Sequence, residues 1–223
     1  MSSTTKLSAR ERIITLLDDS SFVEIGALVT KRNTDFNLAQ TDAPSDGVIT
    51  GYGLIDGDLV YVYSQDAAVL NGTMGEMHAK KIVAMYDFAL KVGAPVIGLI
   101  DCAGMRLQEA TDALAAFGNV YLKQSMASGV VPQITAVFGT CGGGSAVSAA
   151  LSDFTFMPAE GAKLFVNSPN AVEGNFVGKC DTSTAQFQAE AGAVDVVKED
   201  EAAVLASIRN LISFLPCNNE ADY

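Results

Sequence analysis

Between Gln124 and Ser152 the chain carries no charged side chain. A stretch of that length could cross a bilayer, for which about 20 apolar residues suffice. It also holds Pro132, Gln133, Gly139 and the run Gly142-Gly143-Gly144. An isolated lipid-facing helix does not carry polar groups and helix breakers at that density. The stretch therefore reads as a strand, a turn and a helix. The composition supplies the rest of a core, because 49% of the 223 residues are hydrophobic and 18% charged. That apolar content is enough to order a chain of this size.

Charge narrows the partners. Lys and Arg number 14 against 26 Asp and Glu, a net −12 with no acidic tail. Nucleic acid and anionic membranes both need a dense basic surface, so neither is expected as the main partner. Cys102, Cys141, Cys180 and Cys217 are widely spaced and His78 is the one histidine. A structural zinc site needs closely spaced ligand pairs, so no metal is expected. Residues 1–12 do not read as a signal peptide, and the expectation is a reduced, cytoplasmic protein.

Local signals place the elements. Ser8 followed by Glu11 is a capping box, and Ile13, Ile14, Leu16 and Leu17 give that helix an apolar side. Residues 30–44 are polar and aperiodic and read as a loop. Two β-prone runs, 48–55 and 59–63, flank Asp56-Gly57, a hairpin signal. A glycine-bearing loop at 71–75 leads into a helix of about fifteen residues that Gly93 and Pro95 end. The apolar run 95–100 reads as a strand buried on both faces. A helix over about 107–128 follows, then a strand at 131–138, a loop at 139–144 and a helix at 145–151. Short strands are expected at 154–157 and 164–166, and a last amphipathic helix over about 200–215. Alternating strands and helices imply an α/β class, and the lack of any linker implies one domain over 1–223.

Two loops stand where α/β folds bind ligands, beyond the ends of buried strands. One is Asp101-Cys102-Ala103-Gly104-Met105-Arg106, the other Gly139-Thr140-Cys141-Gly142-Gly143-Gly144. Glycines at a helix start let a ligand approach and leave the first N–H groups pointing outward, which suits a phosphate or an oxyanion; the same glycines also suit a close-packed turn. Arg106 can hold a phosphate or pair with Glu109. Lys80 and Lys81 can meet phosphates or form a solvated helix face. His78, at the head of a helix, reads as a structural hydrogen-bonder more readily than a base. No dinucleotide fingerprint, P-loop or G-x-S-x-G elbow is present.

Longer strings are more specific. Gly51 to Gly57, Gln65-Asp66, and Gly72-Thr73-Met74-Gly75-Glu76-Met77-His78-Ala79-Lys80-Lys81-Ile82 resemble the acyl-CoA carboxyltransferase family of biotin-dependent carboxylases and decarboxylases. So do Asp101-x-x-Gly104-x-Arg106-Leu107-Gln108-Glu109, the string from Ala127 to Ile134, and Gly139-x-Cys141-x-Gly143-Gly144 with Ser148 and Ala150 to Phe154. The resemblance runs from Ser8 to Asn219 and matches the first of the two domains typical of the family.

The resemblance implies a crotonase-like spiral of ββα units and a site shared between two domains. CoA is held by this first domain and biotin, on a separate carrier protein, by the second. It implies transfer of a carboxyl group between biotin and a short acyl-CoA through a thioester enolate. The backbone N–H groups of Gly143 and Gly144 stabilise that enolate, and Gly72, Thr73, Gly75, Gly104, Met105 and Arg106 border CoA. The implied partners are a second carboxyltransferase subunit and a biotin carrier protein in a hetero-oligomer, with the chain inactive alone. A malonate decarboxylase β-type subunit and a non-catalytic scaffold are the alternatives. The chain departs from the family at Cys102-Ala103 and Met105, where small residues are usual, and at 179–184, which is shorter and lacks a histidine.

Overall fold

The computed structural model describes residues 6–32, 42–171 and 180–221. Residues 33–41 of the expected loop, and Lys179 of the departing segment, lie outside the described residues. The capping box forms as expected: Ser8 Oγ accepts from Glu11 N–H while Glu11 reaches back to Ser8 N–H, opening α1 (Ala9–Leu16). The hairpin forms too, as β2 (Val48–Ile55) and β3 (Asp58–Gln65), with β1 (Val23–Ile25) added antiparallel on its outer edge. From β3 onward every pairing is parallel, through β4 (Val96–Cys102), β5 (Gln133–Gly142), β6 (Phe154–Pro158) and β8 (Val196–Lys198). β7 (Lys163–Phe165) pairs with the far end of β5, completing an eight-stranded sheet.

Crossover helices cover both faces. α2 (Glu76–Val92) ends on Gly93 in the left-handed conformation, where the Asn218 amide donates to the Gly93 carbonyl at 2.9 Å. α3 (Ala110–Ala127), α4 (Gly144–Ala150) and α5 (Ala185–Glu190) follow, and α6 (Glu201–Ile212) is capped by Asp200. Alternation along β4 divides the core. Val96, Ile100 and Cys102 face Ile82, Met85, Phe117 and Val120, whereas Ile97 and Leu99 face Ile13, Leu16, Val204 and Ile208. Every residue of β4 is buried, as its unbroken apolar run requires. No helix among the described residues is long and apolar enough to cross a membrane.

The structure corrects two boundaries that bear on the site. The expected loop at 139–144 is mostly strand, because Thr140, Cys141 and Gly142 pair with β7. The helix expected from Leu107 starts at Ala110, after a 3-10 turn over Leu107–Glu109. β1, β8 and α5 were too short to show a period in the sequence.

Arg12 pins the end of the sheet. Its side chain is buried, donates to both Glu201 carboxylate oxygens at 2.9 and 3.0 Å, and lies 4.9 Å from the centroid of the Phe138 ring. The Asp101 carboxylate is 3.6 Å from the same guanidinium. Removing one partner of a buried pair leaves the other charge uncompensated, so Arg12→Ala is expected to lower stability by about 3 kcal/mol. Chemical denaturation checks this; an unchanged midpoint shows that the pair is dispensable.

Candidate functional site

β4 and β5 end side by side, with Cys102 opposite Cys141, and each feeds one of the candidate loops. After β4 the chain forms a parallel bridge between Met105 and Met74. Met74 N–H donates to the Gly104 carbonyl and Arg106 N–H to the Met74 carbonyl, both at 2.9 Å. In such a bridge the intervening N–H points to the other side. The Met105 N–H accordingly has no acceptor among the described residues. The Met105 side chain packs against the core instead of standing out from the loop.

After β5 the turn into α4 is sharp, with Gly143 at φ 60, ψ −122. A side chain rarely adopts that conformation, yet a Cβ built on Gly143 meets nothing within 4 Å. The turn corrects one expectation. Gly143 N–H donates to the Phe165 carbonyl of β7 at 3.0 Å, so it is not a free donor. The Gly144 N–H, first in α4, has no acceptor among the described residues. Gly144 is held from behind by Tyr121, whose hydroxyl donates to its carbonyl at 2.8 Å. The two loops adjoin, since a Cβ on Gly104 would lie 3.4 Å from the Gly142 carbonyl oxygen.

The remaining expected CoA contacts face inward. A Cβ on Gly72 would stand 2.1 Å from the Asp101 carbonyl oxygen, and one on Gly75 2.3 Å from the Glu109 carboxylate. Both glycines are explained by close approach of the chain to itself. The Thr73 hydroxyl donates to the Leu70 carbonyl at 2.7 Å. Arg106 is the clearest correction. It is 1% exposed, with Nη1 on Asp46 at 2.6 Å and Glu109 at 2.9 Å, and Nη2 on the Thr73 carbonyl at 2.7 Å. Its pairing with Glu109, one of the two expected roles, is the one found, so its charge does not reach a ligand. Lys80 pairs with Glu76 on the surface, while Lys81 is buried against the Ser45 and Val48 carbonyls, and burial lowers its pKa to about 8.

No side chain described at these loops is poised as a base. His78 Nδ1 lies 2.9 Å from the Asp46 carbonyl, an acceptor, so Nδ1 carries the proton and Nε2 accepts from the Gln65 amide at 3.0 Å. That neutral tautomer is satisfied, and burial lowers the pKa of His78 to about 3. Burial likewise pushes the Cys102 and Cys141 thiols up, away from the thiolate form. The Asp101 carboxylate turns to the opposite face of the sheet, onto Lys6 at 2.7 Å. No group of His, Cys, Asp and Glu able to hold a metal exists among the described residues. Sequence reasoning missed Asp46 and the Met105 amide. Ser45-Asp46-Gly47 looks like any exposed turn, and a free N–H is a property of tertiary bonding.

The comparisons agree on the family. Residues 2–222 match the model described as the carboxyl transferase domain. The chain is 45% identical over 218 residues to methylmalonyl-CoA decarboxylase subunit alpha of Propionigenium modestum, covering 96% of this chain and 42% of that protein. It is 43% identical to the propionyl-CoA carboxylase beta chain of Roseobacter denitrificans, covering 96% of this chain and 43% of that one. Among solved structures, transcarboxylase 12S with hydrolysed methylmalonyl-coenzyme A superimposes with a TM-score of 0.93 at 38% identity, over 98% of this chain and 43% of that chain. The chain thus spans under half the length of these relatives.

The burial of His78 has a pH signature. Its folded pKa of about 3 lies below its ordinary 6.5, so the unfolded chain binds the proton more readily. Its contribution is therefore fully present above pH 6.5 and is lost as pH falls toward 3. His78→Gln is expected to reduce the acid-side slope of stability by up to about 1.4 kcal/mol per pH unit. Denaturation of both proteins between pH 4 and pH 7 reads this, and parallel slopes would show that folded His78 protonates freely.

Proposed function

The chain belongs to the carboxyl transferase domain family, with a crotonase-like fold, and from that premise we propose that it is the acyl-CoA half of a biotin-dependent carboxyltransferase. One observation carries the reading. Two peptide N–H groups, of Met105 and Gly144, have no acceptor among the described residues and stand on adjoining loops, while the one histidine is sealed in the core. Such donors favour the negative charge that grows on a thioester oxygen when the α-proton leaves, and losing one typically costs about 10²–10³ in rate. Carboxybiotin, when bound, supplies the carboxyl group and the base that takes the proton. The work of this chain is then to bind the CoA ester at the loops after β4 and β5 and to hold its carbonyl against the two N–H groups, while Gly72 and Gly75 let the 70–75 loop pack closely beneath them. Arg106 acts by holding the loop.

Relatives named for methylmalonyl-CoA and propionyl-CoA support a short acyl group. The site is completed by a second carboxyltransferase domain and by a biotin carrier protein, in a cytoplasmic hetero-oligomer. Leu107, 74% exposed, and Leu114, 64% exposed, give that second domain apolar surface to cover near the loop after β4.

Two outcomes are expected. The isolated chain is inactive, and adding a second domain of the family restores avidin-sensitive carboxyl transfer in a complex with equal numbers of the two chains. Full activity from this chain alone would remove the split-site reading, and activity indifferent to avidin would favour a malonate decarboxylase-type reaction. In that complex Gly143→Val has room for its Cβ, which meets no atom within 4 Å, but strains the backbone at φ 60, so assembly of the variant complex is verified before its rate is read. Its kcat should fall about 10²–10³-fold as the branched side chain blocks the neighbouring Gly144 N–H. Unchanged kcat would remove the oxyanion assignment.

A further inference from the structure

Beneath the acyl-CoA loops lies a buried ionic cluster of Asp46, Arg106 and Glu109. Arg106 Nη1 is shared between Asp46 Oδ1 and Glu109 Oε1. The other oxygens of both carboxylates accept from the start of α2. Asp46 Oδ2 takes the His78 N–H at 2.7 Å and Glu109 Oε2 the Glu76 N–H at 2.6 Å. The N-terminus of α2 is thereby filled by the protein's own carboxylates and is not open to a phosphate. Replacing such a buried charge cluster with apolar residues is often neutral or stabilising, so stability alone does not account for it.

The backbone around Asp46 is strained. Ser45 and Asp46 have φ of 52 and 49, Leu70 and Asn71 of 48 and 54, and Ala110 of 47. None is glycine, and such conformations persist only where the surroundings over-determine them. Here the surroundings are visible. Lys81 Nζ donates to the Ser45 carbonyl at 2.9 Å, His78 Nδ1–H to the Asp46 carbonyl at 2.9 Å, and Ala103 N–H to the Asn71 carbonyl at 3.1 Å. The Asp46 turn, the 70–75 loop and the loop after β4 are thus locked together, and the last of these carries the free Met105 N–H.

We infer that Asp46 is a positioning residue for carboxyl transfer: through Arg106 it holds the Met105 amide where the thioester oxygen must lie. The inference rests on the acyl-CoA reading above. Asp46 never touches the substrate. Its carboxylate fixes the Arg106 guanidinium, which fixes the Thr73 carbonyl, while the Arg106 backbone fixes Met74 and so the orientation of the intervening amide.

The test uses the full chain and propionyl-CoA labelled at the thioester carbonyl. Binding to the wild-type chain should lower the carbonyl stretching frequency, because N–H donors polarise the bond. In Asp46→Asn, which keeps the size of the side chain, affinity for free CoA should stay within about twofold, while the preference for propionyl-CoA over CoA falls about tenfold and most of the frequency shift is lost. Arg106→Lys should act in the same direction and carries the readout if Asp46→Asn does not fold. Asp18→Asn, in a half-buried pair with Arg209 far from these loops in the fold, should change neither quantity. A full frequency shift in a folded Asp46→Asn or Arg106→Lys protein overturns the inference. Amide exchange without ligand gives an independent reading. Exchange over 71–76 and 103–109 should quicken in these variants, and unchanged exchange also overturns it. Failure of the wild-type chain to bind propionyl-CoA would sink the acyl-CoA reading instead, with the exchange arm still deciding whether Asp46 locks the loops.

Discussion

The parallel pairing of β4 with β5 is the constraint from which the rest of the molecule is built. Neither strand can be left half wet, since β4 has no exposed residue and β5 is buried along almost its whole length. Burial on both faces demands helices on both sides, and parallel strands demand a crossover between them, which α3 provides. The same pairing brings the ends of the two strands together at Cys102 and Cys141. The loops that follow have no choice but to adjoin. Two backbone amides without acceptors among the described residues, one on each loop, come close together as a consequence of that geometry.

The carboxyl end of β4 is held from both faces by a buried arginine. On one face Arg12 meets Glu201 and stands near Asp101; on the other Arg106 meets Asp46 and Glu109. Adjacent residues of a strand point to opposite faces, so Asp101 and Cys102 pass the chain from the first cluster toward the second. Charges buried in this way are costly unless each is paired and hydrogen-bonded. Their presence at one strand end marks the point in the fold where position matters more than stability. A backbone donor contributes to catalysis only if it is already aimed when charge develops, and a loop supported from one side alone would not hold that aim.

Gly143 and Gly144 part company in the fold. Gly143 and Gly144 were equivalent in sequence, both preceding a helix. In the fold β7 returns alongside β5, and the Phe165 carbonyl takes the Gly143 N–H. That leaves the Gly144 N–H as the one of the two with no acceptor among the described residues. Met105 entered as a bulky residue in a place where the family has a small one. Its side chain packs against the core, and its amide has no acceptor among the described residues.

Much of the architecture could be read from residues alone. The Ser8 and Glu11 cap, the Asp56-Gly57 hairpin and the apolar run of β4 act over a few positions, and local chemistry decides them. The long strings through Gly72 to Ile82 and Asp101 to Glu109 likewise mark the family without reference to any coordinate. β1, β8 and α5 were not legible, because each is short and none presents three consecutive apolar residues, as Leu164-Phe165-Val166 at β7 does. Arg106 was legible as a residue of interest but not in its role, since an arginine on a glycine-bearing loop suits a ligand and an ion pair equally well. Asp46 was not legible at all. Its partners, His78 and Arg106, are distant in sequence and meet only when α2 and the loop after β4 pack together. Sequence by itself determined which elements form and which family they serve, because those depend on short-range pattern. Only the tertiary structure decided which amides are free and which charges are buried, because a hydrogen bond is assigned by whatever chain arrives beside it.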